Sequence, residues 1–298
     1  MTPTRYRTVT VDGLNLFYRE AGPSDAPAVL LLHGFPSSSR MWQPLIDRLA
    51  DRYRMVAPDY PGFGHSDAPP ADSFSYTFDR IADYIERFAD EIGLQSYSLV
   101  VQDYGGPVGM RLAVRRPERL SALVVYNAVC HEDGLGPLWE TRRAFWADRA
   151  SHEQALRENF FSPNATRQRH VGNSPEPDRY DPDLWTDELA FLHQPGQRDI
   201  QTDLFYDYRT NVASYPIWQQ WLRDAQPPLL VVWGRYDPSF QVEEAEAYRR
   251  DVPDAEVHVI DAGHFALDEA PDLVADLTRN FLDASERQHQ PPAHPAGF

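Results

Sequence analysis

Fully apolar runs and stripes of helical period take turns along this chain. Ala28-Val29-Leu30-Leu31-Leu32 has no polar member, as expected of a strand buried on both faces of a parallel sheet. Further strands are predicted at residues 54–58, 98–101, 120–125, 229–233 and 256–260, and two short ones at 5–11 and 14–20 flank the hairpin signal Asp12-Gly13. Helical patterns fall between them, at 41–49, 78–93, from the 103–106 turn to about 115, 242–252 and 271–283. The clearest is 78–93, where Ile81, Ile85, Phe88 and Ile92 share one stripe and Gly93 supplies the stop.

Between residues 129 and 224 the pattern changes. The stretch is polar and aromatic, with Trp139, Trp146, Trp185, Trp218 and Trp221, and prolines at 163, 175, 177, 182 and 195 interrupt it. Helices are expected at 138–149, 152–160, 183–192 and 200–221. The chain therefore reads as α/β, with a mostly parallel central sheet flanked by helices and a helical cap inserted in it. The boundaries predicted are 1–128 and 225–287 for the core, 129–224 for the cap, and a mobile tail rich in Pro, His and Gln at 288–298.

Composition narrows the chemistry. The 298 residues are 42% hydrophobic, with no membrane-spanning run and no apolar stretch at the start, so a cytoplasmic protein is expected. A single cysteine, Cys130, excludes an internal disulfide and a thiolate metal cluster. All 28 basic residues are arginine, which removes lysine Schiff bases. The net charge of -17 disfavours nucleic acid and anionic membranes as partners, and it repels anions at long range, which favours a neutral small-molecule substrate. No His/Asp group has metal-ligand spacing, so no metal or cofactor is expected, and a homodimer is left open.

One short run carries the candidate chemistry. Ser98-Leu99-Val100-Val101-Gln102-Asp103-Tyr104-Gly105-Gly106 takes an apolar strand into a tight turn with two glycines, and the helical positions Val108, Leu112 and Ala113 follow. A side chain at the apex of such a turn projects into a pocket. A carboxylate there is a nucleophile without help from a base, whereas a serine waits for a histidine. The competing reading of Asp103 is a helix N-cap. Three other segments end or follow strands and converge on the turn: His33-Gly34-Phe35-Pro36, Gly234-Arg235-Tyr236-Asp237 and Gly263-His264-Phe265. Asp237 or His264 alone would be a weak signal, since Asp-Pro turns and solvated loop histidines are ordinary. His33 reads as a brace for its loop, and the turn at 59–66 (Asp59 to Ser66) as a core brace without phosphate-loop context.

Taken together these motifs resemble the α/β-hydrolase superfamily, in particular its epoxide hydrolase and haloalkane dehalogenase branch, over about residues 5–285. The order nucleophile, acid, histidine (103, 237, 264) matches that family. The resemblance implies Asp103 as nucleophile, His264 as base with Asp237 behind it, and the amides of Phe35 and Tyr104 as oxyanion donors. Some dehalogenases carry the acid after the earlier strand, but Tyr126-Asn127 has no carboxylate there, which favours Asp237.

His-Gly-Phe-Pro and Tyr208-Arg209-Thr210-Asn211 resemble the epoxide hydrolase form, with Tyr208 as the proton donor to the opening ring. The second cap tyrosine of that form has no counterpart; His131 could replace it, and Trp139 or Trp146 could hold a halide instead. His33, Pro36, His131, Trp139 and Phe265 are expected to line the substrate pocket. Tyr104 stands where haloacid enzymes place an arginine, which argues against a haloacid. The sequence thus points to a hydrolase that opens a neutral, mostly apolar epoxide through an aspartyl ester. Haloalkane dehalogenation and a non-catalytic ligand-binding role are the alternatives.

Overall fold

The apolar runs divide alternately between the two faces of one sheet. The computed structural model describes residues 3–289. Its eight strands are β1 (Arg5–Val11), β2 (Leu14–Ala21), β3 (Ala28–Leu32), β4 (Arg54–Pro58), β5 (Tyr97–Gln102), β6 (Leu120–Tyr126), β7 (Leu229–Gly234) and β8 (Glu256–Ile260). They lie in the order β1-β2-β4-β3-β5-β6-β7-β8. β1 pairs β2 and β2 pairs β4 antiparallel, and every other pairing is parallel. In the central strands Leu30, Leu32, Leu99, Val101, Leu123 and Val125 pack into one core. Their neighbours Val29, Leu31, Val100, Ala122 and Val124 pack into a second core on the opposite face. A strand with only one dry face would alternate with polar residues; these need none.

The helices are α1 (Gln43–Leu49), α2 (Phe78–Glu91), α3 (Gly105–Arg115), α4 (Trp139–Ala147), α5 (Arg149–Phe160), α6 (Pro163–Val171), α7 (Thr186–Leu192), α8 (Gln197–Ala225), α9 (Glu243–Asp251), α10 (Ala266–Glu269) and α11 (Pro271–His289). Side chains of α1, α10 and α11 fill the second core, and those of α2, α3 and α9 the first. α4 to α8 intervene between β6 and β7 in the chain. They lie over the ends of β3, β5, β7 and β8, because one cavity is lined by both sets of residues.

Two expectations are corrected. α6 is absent from the sequence reading, which took Pro163 as a break. Pro163 instead occupies the first helical position, where its missing N–H costs nothing, and Ser162 caps the turn by accepting from the Ala165 amide at 3.1 Å. α11 runs on to His289, so the predicted tail at 288–298 starts within a helix, and the rest of it lies outside the described residues.

Candidate active site

The turn after β5 is as sharp as its glycines require. Asp103 sits at φ 49°, in the left-handed region that side chains rarely occupy. A Cβ on Gly105 would lie 2.0 Å from the Leu32 carbonyl oxygen, and one on Gly34 would lie 2.4 Å from the Asp103 Cβ. Only glycine lets α3, the end of β3 and the loop after it close on one side chain.

Asp103 Oδ1 accepts the Phe35 amide at 2.8 Å. Burial raises the pKa of this carboxyl above its ordinary value, opposed by the nearby His264 and by the amides of Phe35 and Tyr104. Oδ2 faces His264 Nε2 at 3.6 Å, too far for a hydrogen bond. On the ring's other side Nδ1 is 2.7 Å from Asp237 Oδ2. Asp237 is itself fully held: its Oδ1 accepts the amides of Ser239 and Phe240 at 2.6 and 3.1 Å, and its Oδ2 also accepts Asn127 Nδ2 at 2.8 Å. Gln102 Nε2 donates to the His264 carbonyl at 2.6 Å and fixes the backbone of that loop. The structure therefore brings Asp103, Asp237, His264, Phe35 and Tyr104 together. Gln102 and Asn127, which hold the assembly, escaped the sequence reading.

These groups open onto a cavity of about 20 Å³, room for roughly one water. Phe35 and Tyr104 form one wall, and Trp139, Phe205 and Tyr208 descend from the cap. The Tyr208 ring lies 4.7 Å from that of Trp139, centroid to centroid. Its hydroxyl has no partner at normal hydrogen-bond length, with the Tyr215 hydroxyl close beside it. Burial, with the charge of Asp103, holds the Tyr208 pKa well above 10, so the phenol keeps its proton.

Four of the expected pocket residues lie elsewhere. His33 is fully buried, where its Nδ1 donates to the Gly34 carbonyl at 3.1 Å and its Nε2 accepts the Tyr60 amide at 3.3 Å. Burial lowers its pKa to about 4, so it stays neutral and braces the loop. The turn at 59–66 completes that brace: the Tyr60 hydroxyl donates to the His33 carbonyl at 2.9 Å, and Asp59 Oδ1 accepts the Ser39 amide at 2.7 Å. Pro36, joined to Phe35 by a cis peptide, does not reach the cavity. Phe265 lies behind the histidine, stacked on His170 at 4.2 Å and edge-on to His264.

His131 is drawn away by two carboxylates, Glu244 Oε1 and Asp251 Oδ2, each 2.8 Å from one of its ring nitrogens. Burial opposes its charge, but its hydrogen bonds with Cys130 and Glu244 prevail and raise its pKa to about 11. Cys130, His131 and Glu244 form a group with metal-ligand atoms in reach of one another, which linear spacing could not show. Here the imidazole binds both carboxylates itself, and burial raises the thiol to about 11. Trp146 is also corrected as a halide donor: its N–H goes to the Phe205 carbonyl at 2.7 Å, and that of Trp139 to the Ser239 carbonyl at 2.8 Å.

Two arginines missing from the sequence reading do line the cavity, Arg142 of α4 and Arg169 of α6. Arg142 carried a signal, since it shares a helical stripe with Trp139 and Trp146. Arg169 lay on the unpredicted helix.

Comparison with known proteins agrees with this architecture. The model of the alpha/beta hydrolase fold family matches residues 27–271. The uncharacterized hydrolase YNR064C of Saccharomyces cerevisiae is 38% identical over 270 residues, 89% of this chain and 92% of the yeast protein. A haloalkane dehalogenase of Psychrobacter cryohalolentis is 38% identical over 117 residues, 39% of this chain and 38% of its own length. The crystal structure of haloalkane dehalogenase DbeA from Bradyrhizobium elkani superposes with a TM-score of 0.77 at 23% identity, over 96% of this chain and all (100%) of that one, a likeness of fold. No helix among the described residues is long and apolar enough to cross a membrane. With its mostly parallel eight-stranded sheet and its family-model match, the chain belongs to the α/β-hydrolase family and is a hydrolase of that type.

Proposed function

We propose that the protein opens a small epoxide through an ester formed on Asp103. The observation that carries this reading is the division of labour on that carboxylate: Oδ1 is held by the Phe35 amide, while Oδ2 is left facing the cavity and His264. In the first step Oδ2 attacks a ring carbon, the carbon–oxygen bond breaks, and the alkoxide takes the Tyr208 proton. In the second, His264 Nε2 takes a proton from water, and the hydroxide attacks the ester carbonyl carbon. The charge then develops on Oδ1, where the amides of Phe35 and Tyr104 stand ready. Collapse of this intermediate releases a vicinal diol, and the histidine's proton restores the tyrosine through solvent. Water adds across the ring with no change of oxidation state.

An epoxide is favoured over a halide because the tryptophan N–H groups near the cavity are taken by backbone carbonyls, whereas the Tyr208 hydroxyl, beside that of Tyr215, is committed to none. A halide needs no proton; an alkoxide does. The Psychrobacter relative keeps hydrolytic dehalogenation as the second reading.

His264→Gln protein should form the ester and fail to break it. Incubated with epoxides, it should gain the mass of one substrate on Asp103, seen by intact-mass spectrometry. Adducts from alkyl halides alone would move the assignment to dehalogenation, and unmodified, folded protein in both cases would end the covalent reading. Tyr208→Phe should slow ester formation from epoxides about 10²-fold and leave halide displacement unchanged.

The pH profile carries a sign. Burial disfavours the charged form of His264, but the charge and hydrogen bond of Asp237 outweigh it and raise the pKa above 6.5. The base must be neutral, so ester hydrolysis should fall as the pH drops through the His264 pKa, to which Asp237 still contributes but the esterified Asp103 no longer adds its charge. Asp237→Asn should move that pKa down and slow hydrolysis by up to about 10⁴-fold, read in single-turnover experiments.

A further inference from the structure

Four arginines of the described residues are buried, and they fall into two pairs. Arg111 meets Asp79 at 2.5 Å, and Arg119 meets Asp90 at 2.6 Å. Arg142 and Arg169, only 6% and 8% exposed, have no carboxylate within ion-pair distance among the described residues, and both line the cavity above Asp103. Arg142 Nη1 donates to the Leu138 carbonyl at 3.3 Å, and its Nε is unpartnered. Arg169 Nη2 donates to the Phe160 carbonyl at 2.7 Å, and its Nη1 is unpartnered. Aromatic faces flank the cations: Arg142 lies 4.3 Å from the Trp139 ring centre, and Arg169 lies 4.5 Å from that of Phe35. Rings of this kind hold a guanidinium without neutralising it.

We infer that Arg142 and Arg169 form a carboxylate subsite, so that the substrate is a short-chain acid bearing the electrophilic carbon. Two buried guanidinium groups beside the cavity, each with a nitrogen that has no acceptor, match a carboxylate. Burial lowers both guanidinium pKa values to about 10, and Arg142 further lowers that of Arg169, so the two cations act on one another. The overall charge of -17 acts from beyond roughly a Debye length, about 8 Å, where salt screens it; the cavity field is set by its own lining. The neutral substrate expected from net charge is thereby revised, and the acid is gripped from the cap instead of from the residue after the nucleophile.

The substrate class rests on the aspartyl-ester reading, but the subsite can be tested without chemistry. Asp103→Asn protein, titrated calorimetrically, should bind glycerate at least about tenfold more tightly than glyceramide, and Arg142→Met or Arg169→Met in that background should abolish the difference. Equal or weaker binding of the acid would overturn the inference. Should an arginine variant fail to fold, the comparison of acid with amide in the Asp103→Asn protein decides alone. In His264→Gln protein, glycidate should form the adduct faster than glycidamide. An equal or faster amide adduct would overturn the carboxylate subsite and leave the ester mechanism intact. No adduct from either, with selective glycerate binding retained, would remove the ester mechanism and support the subsite.

Discussion

Asp103→Asn should lower epoxide turnover at least about 10⁴-fold while leaving the protein folded. The amide has nearly the shape of the carboxylate and can still accept the Phe35 amide at the position of Oδ1, now 2.8 Å away. What it lacks is the charge that the proposed attack by Oδ2 requires. Burial already disfavours that charge, so the neutral amide should leave stability unchanged or raise it. The measurements are steady-state turnover and urea unfolding on the same sample. Activity within about tenfold of the wild type would show that another group attacks.

Gly105→Ala is expected to cost about 3 kcal/mol or more and to abolish activity with it. The added Cβ would fall 2.0 Å from the Leu32 carbonyl oxygen and 2.7 Å from its carbon. Both are backbone atoms, so no rotamer relieves the clash; either β3 or the start of α3 must shift. Leu32 precedes the loop that carries the Phe35 amide, so the same shift takes an oxyanion donor from Asp103. Gly93→Ala is the control. Gly93, unlike Gly105, has positive φ, 72°, but a Cβ there meets nothing within 4 Å, so the cost should be only about 1 kcal/mol, all of it from the backbone. Urea midpoints for the two variants give the comparison, and equal midpoints would refute the close approach at the elbow.

The core was legible because burial on both faces of a sheet leaves a mark no surface strand carries: Leu30 to Leu32 and Leu99 to Val101 have no polar residue to spend on solvent. The meeting of Asp103, Asp237 and His264 was legible because backbone constraints surround it, with Gly34, Gly105 and Gly234 each packed against a neighbour that a Cβ would strike. The cap was less so. Apart from α8 its helices are short, and Pro163 has one meaning at a helix start and another within a helix. His131 was misplaced because Glu244 and Asp251, more than a hundred residues later, are what claim it. Arg142 and Arg169 went unremarked: only the first shares a stripe with tryptophans, and it takes the fold to bring Phe160 and Phe35 beside them.

A chamber with space for about one water cannot admit an organic molecule while α4, α6 and α8 rest on the loops beneath them. On the proposed reading each cycle therefore begins and ends with the cap, or the side chains it lowers into the chamber, giving way. The frequency of that breathing sets a ceiling on throughput, however fast the bond-making inside.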